Sequence, residues 1–123
     1  MKKYVQLFIV MSVFFIYAAV ANAAQWTKMD VEPTYAWNIT FNSIMDEQSF
    51  LMHATLRDSS QNVVPFTVKR NDRVLTIAAP KEGYIAGERY TLVIPTAVTS
   101  VTGEPLAEEV VITFVIKEAV TPV

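Results

Sequence analysis

The sequence predicts an all-β fold, an antiparallel β-sandwich of about seven strands. Three observations predict it. Apolar residues recur at every second position through most of residues 24–123. Turn-forming residues interrupt that alternation at regular spacing. The apolar set is rich in branched and aromatic side chains, which suit a pleated surface.

Residues 1–23 follow a different rule. Lys2 and Lys3 open them, Leu7 to Val20 is an apolar run, and Ala21-Asn22-Ala23 is a small-residue exit. These are the three parts of a secretory signal peptide. The expectation is a leader helix that is removed after Ala23, leaving 24–123 as one secreted, extracellular domain with possible attachment to the cell surface. An uncleaved N-terminal tether is the alternative, and the membrane contact is then limited to this segment. A spanning helix wants about 20 apolar residues, and this run is shorter. The chain has no cysteine, which excludes a lipid anchor.

The strands follow in order. A short one is expected near 26–30. Trp37, Ile39 and Phe41 alternate with Asn38, Thr40 and Asn42, and Asp46 is placed to cap one helical turn. Met52, Ala54 and Leu56 form an inward set, with His53, Thr55 and Arg57 outward. Val64, Phe66 and Val68 come next. Pro65 between them marks an edge strand or a bulge. Asn71-Asp72 is a two-residue hairpin position leading to Leu75 and Ile77. Tyr90, Leu92 and Ile94, then Ile112, Phe114 and Ile116, complete the pattern.

Composition narrows the function classes. Two of the 10 basic residues lie in the leader, so the rest carries 8 against 12 acidic residues, a net charge of −4. Such a domain lacks the basic patch that drives nucleic-acid binding. A domain of this length can bury one core without staples. The missing cysteines rule out disulfides and thiolate metal sites. His53 is the only histidine, too few for a zinc site. No serine sits in a nucleophile-elbow sequence. Asp46-Glu47 and the Asp58–Asn62 loop are rich in oxygen, as calcium requires, but lack the regular calcium-loop spacing. They read as solvated loops. No catalytic, cofactor-binding or metal-ligating residue is assigned, and the chain is expected not to be an enzyme.

The sharpest local signal is Gly87-Glu88-Arg89-Tyr90, a tyrosine just after a glycine turn at the start of a late strand. It resembles the tyrosine corner of Ig-like sandwiches, whose hydroxyl bonds nearby backbone. Trp37 to Asn42 with Met45-Asp46, Tyr84 to Gly87, Ser100 to Leu106 and Phe114 extend the likeness. Together they resemble the bacterial Ig-like domain of the surface-layer protein SbsA and of many secreted or cell-wall proteins. Ser100 departs from the pattern, since that family often has an acidic residue there. The resemblance implies an Ig-like fold in which Tyr90, Trp37, Phe41, Gly87 and Phe114 are structural. It brings no catalytic residues. The expected function is a non-catalytic binding or structural module with an unidentified protein or cell-wall partner. The alternative is a secreted inhibitor that presents a sandwich-end loop. A small hydrolase using surface carboxylates is the third class.

Overall fold

A computed structural model describes residues 7–8 and 23–119. In it the alternating runs become two four-stranded sheets packed face to face. The strands are β1 (Leu7–Phe8), β2 (Ala23–Val31), β3 (Trp37–Phe41), β4 (Thr55–Asp58), β5 (Val68–Asn71), β6 (Val74–Ile77), β7 (Arg89–Ile94) and β8 (Glu109–Ile116). One sheet runs β1-β3-β6-β5 and the other β2-β8-β7-β4. Helix α1 (Glu47–His53) joins β3 to β4.

Period two puts alternate side chains on one face of a strand. Trp37, Ile39, Phe41, Leu75 and Ile77 are buried on one inner face. Leu56, Tyr90, Leu92, Ile94, Ile112, Phe114 and Ile116 are buried on the other. The register keeps these sets aligned, with Ile39 beside Leu75, Leu92 beside Ile112 and Tyr90 beside Phe114. Each large apolar side chain contributes about 1.5–3 kcal/mol when buried. A slip of one residue would send a whole set to solvent, so burial fixes the pairing.

The structure corrects several expectations. The first sandwich strand is longer than residues 26–30 and spans Ala23–Val31. It runs parallel to β8, with Trp26 beside Ile112, so the sandwich is not wholly antiparallel. No hairpin ties β2 to β8. The chain instead passes from β2 to β3 in the opposite sheet, which leaves the direction of β2 free.

Met52 is not an inward strand residue. It is 75% exposed, on a helix that runs on through His53. The single turn expected after Asp46 is a seven-residue helix, because the cap and the buried Phe50 both favour continuation. His53 is exposed as expected, but it stands in the last turn of that helix. The hairpin loop is Asp72-Arg73, one residue later than expected, since Asn71 pairs with Val74 and Asp72 takes a φ of 56°.

Residues 63–67 keep the expected alternation without forming a strand. Val64 N donates to Leu56 O in one sheet at 2.7 Å. Thr67 O accepts from Ala78 N, next to β6 in the other. The chain switches sheets between them, and Pro65, which lacks an N–H, sits at the crossing.

Within the stretch expected to be a leader, Leu7–Phe8 are extended rather than helical and pair antiparallel with β3. Residues 1–6 and 9–22, the rest of the expected leader helix, lie outside the described residues.

Candidate functional site

Tyr90 opens β7 with its ring against the core and its hydroxyl turned back along the chain. The Tyr90 Oη accepts from Ile85 N at 3.0 Å. Gly87 makes the turn between them at a φ of 77°, and its N–H donates to Ile116 O. A left-handed φ favours glycine at this position. Ile116 N donates to Glu88 O, which locks the corner to β8.

Phe114 lies at the centre of the aromatic cluster. Its ring is 5.5 Å from Tyr90, stacked, and 5.2 Å from Tyr84, edge-on. Trp37, from the opposite sheet, lies 5.2 Å away and meets Tyr35 edge-on. Phe41 is buried at the far end of β3. The five residues expected to be structural thus divide in three. Tyr90 and Gly87 form the corner, Trp37 and Phe114 meet across the sandwich, and Phe41 packs apart from both.

Tyr84 enters the sequence pattern only as part of Tyr84 to Gly87, with no role of its own. It is 4% exposed, and its hydroxyl has no hydrogen-bond partner among the described residues. Burial, helped by the nearby Tyr90, pushes its pKa up to about 12. Trp37 Nε1 and Trp26 Nε1 are also buried and have no partner among the described residues. The sequence signal is a tyrosine three residues before the Gly87 turn, and the packing of its ring 4.8 Å from Tyr90 is tertiary.

The oxygen-rich loops turn their side chains onto their own backbone. Asp46 Oδ1 accepts from Gln48 N at the start of α1, and Glu47 pairs with Arg70 at 3.8 Å. Asp58 Oδ1 accepts from Ser60 N and Asn62 N. Ser59 donates to Glu88, which with the Arg89 N–H lowers the Glu88 pKa. Among the described residues, no three His, Asp or Glu side chains gather where a metal ion could be held.

One sandwich end has a different character. The 42–44, 72–73 and 100–104 loops line an open hollow of about 330 Å³. Ser100 builds the central loop. Its Oγ accepts from Thr102 N and Glu104 N, and Ser100 N donates to Glu104 O at 2.8 Å. The one hydroxyl thus holds two N–H groups of its own loop. Thr102 Oγ1 donates to Glu104. Val101 N donates to Ile44 O, tying two loops together. Their side chains stay out, Val101 at 52% and Ile44 at 38% exposure, beside the charges of Asp72, Arg73 and Glu104. In the sequence Ser100 to Leu106 is one element of the Ig-like resemblance, and it does not show this face, which needs three loops from distant positions.

A comparison with curated proteins finds no match. Among solved structures, the N-terminal part of the bacterial S-layer protein SbsC is similar at a TM-score of 0.55 and 14% identity. The likeness covers 84% of this chain but 25% of that one, so the chain spans a quarter of that structure. CopC from Methylosinus trichosporium OB3b is similar at a TM-score of 0.56 and 18% identity, over 81% of this chain and 90% of CopC. At these identities the likeness is one of fold. The family described as bacterial Ig-like domain matches residues 19–115. The corner at Tyr90, the two packed sheets and this match lead to one conclusion: the chain belongs to the bacterial Ig-like domain family.

Proposed function

We propose that the chain is an exported, non-catalytic Ig-like module that acts by surface contact at the cell surface or outside the cell. The observation that carries this reading is the hollow at the sandwich end. Ile44 and Val101 are exposed beside Asp72, Arg73 and Glu104, on loops held by their own hydrogen bonds. Apolar groups ringed by charge on a fixed frame suit a protein or cell-wall partner. Carboxylates and hydroxyls that could serve chemistry, Asp46 and Asp58 elsewhere and Ser100 in the hollow itself, hold backbone instead. The net charge of −4 beyond the leader disfavours nucleic acid. The rigid Ser100–Glu104 loop also supports a second reading, an inhibitor that offers Val101 to an enzyme's cleft.

The test uses the exported protein and purified cell-wall fragments. Mass spectrometry is expected to find Ala24 as the first residue, and an intact Met1 on membrane-bound protein supports the tether. Val101→Glu is expected to weaken binding about tenfold or more. Unchanged binding in both Val101→Glu and Ile44→Glu removes the hollow from the reading. Hydrolysis of a peptide or glycan by the pure protein, abolished by one substitution, overturns the non-catalytic part.

A further inference from the structure

With Leu7–Phe8 set aside, the two sheets have edges at β3, β5, β2 and β4, and these are not equally defended. β5 carries Lys69 and Arg70 and packs against α1. β4 is covered by the chain that follows it, with Val63 bridged to Arg57 and Val64 N bonded to Leu56 O. β2 carries Lys28 and Asp30 and breaks its register between Lys28 and Val31. Charges, bulges and covering segments are the usual protections of a sheet edge. β3, with the sequence Trp-Asn-Ile-Thr-Phe, has no charge, no proline and no break in its pairing with β6. Its outer side is covered by Leu7–Phe8.

The direction of the open groups follows from the ladder. Phe41 N donates to Arg73 O, on the β6 side. Main-chain groups of neighbouring strand residues point to opposite sides. Asn38 and Thr40 therefore aim their N–H and C=O groups at the outer edge, where Leu7 and Phe8 lie.

We propose that β3 is a strand-addition edge, held by Leu7–Phe8 in the unprocessed chain and taken by β3 of a second copy once residues 1–23 are removed. The proposal rests on the removal of the leader. A second copy fits because the strand is self-complementary about Ile39. Antiparallel pairing on a two-fold axis there sets Asn38 opposite Thr40 of the second copy, and the reverse, with about four main-chain hydrogen bonds. Trp37 then meets Phe41 of the second copy on the inner face. The polar pairs Asn38 and Thr40 meet on the outer one. No like charges oppose each other.

The experiment takes the chain with its own leader through export and measures mass and association state by sedimentation. Protein starting at Ala24 is expected to dimerise at about micromolar concentration, and Thr40→Pro is expected to weaken this at least about tenfold. Thr40→Pro removes an N–H on the open edge and leaves the β6 ladder intact. A cooperative melt of this variant is the control that it folds. The pair Asn38→Lys with Thr40→Lys, which opposes like charges across the axis, is expected to act the same way. Ala21→Lys, which blocks cleavage, is expected to leave a monomer. A processed chain that stays monomeric, alone or with a foreign strand bound, overturns the proposal. So does a dimer that ignores both sets of edge substitutions, or an intact chain that dimerises. An exported chain found only with Met1 in place also overturns it. That mass shows the leader reading, and not the edge, to be at fault.

Discussion

Two tyrosines 4.8 Å apart do opposite things for stability. Tyr90's hydroxyl satisfies the Ile85 N–H. Tyr84's hydroxyl is buried without a partner among the described residues. Tyr90→Phe is expected to cost about 1 kcal/mol or more, because it strands a donor. Tyr84→Phe is expected to be neutral or to stabilise by up to about 1 kcal/mol, because it removes an unpaid desolvation. Denaturant melts of the two variants decide this, and equal losses in both would refute the assignment. Ser100→Ala is expected to cost about 1–2 kcal/mol, since the N–H groups of Thr102 and Glu104 both lose their acceptor. The corner was legible because tyrosine after a glycine turn is a local pattern. Tyr84's isolation was not, because it depends on which groups fail to reach it.

At the scale of elements, α1 shows how a local signal and a periodic one compete. Asp46 pointed to a cap, while Met52, Ala54 and Leu56 pointed to a strand already under way. The helix won as far as His53, because it buries Phe50 under Phe66 at 6.0 Å between ring centroids. The strand began only at Thr55. Asp46→Ala is expected to destabilise the protein by about 1 kcal/mol through the lost cap. Hydrogen exchange is expected to rise in α1 far more than in β7 or β8. Uniform acceleration would show that α1 has no local opening of its own. The alternation of Val64, Phe66 and Val68 was correct in phase, yet Pro65 marked a change of sheet rather than a continuous strand. Period two reports which side faces inward and is blind to which sheet supplies the ladder.

The whole molecule is expected to be sensitive to alkali. Burial raises the pKa of Tyr84 to about 12 and raises that of Tyr35 as well. The unfolded chain releases these protons near pH 10, while the folded one still holds them. Rising pH therefore favours unfolding, and the contribution present below pH 10 is lost between 10 and about 12. For Tyr84 it amounts to about 2–3 kcal/mol at most. Melts from pH 8 to 12 are expected to show a steeper decline in the parent than in Tyr84→Phe. Parallel curves would mean that Tyr84 titrates as if exposed.

The sequence by itself determined the fold class, the inward face of most strands and the tyrosine corner, along with a bound on chemistry set by one histidine and no cysteine. These are properties of neighbours in the chain or of composition, so they can be read without contacts. Tertiary structure decided the parallel seat of β2 beside β8, the crossing at Pro65, the unpaired hydroxyl of Tyr84 and the assembly of the hollow around Ile44 and Val101. It also decided which sheet edge lacks protection of its own. Each of these depends on residues far apart in sequence meeting under the constraint of a shared core. Strand direction, partner choice and loop clustering are settled by that packing, and no local pattern encodes them.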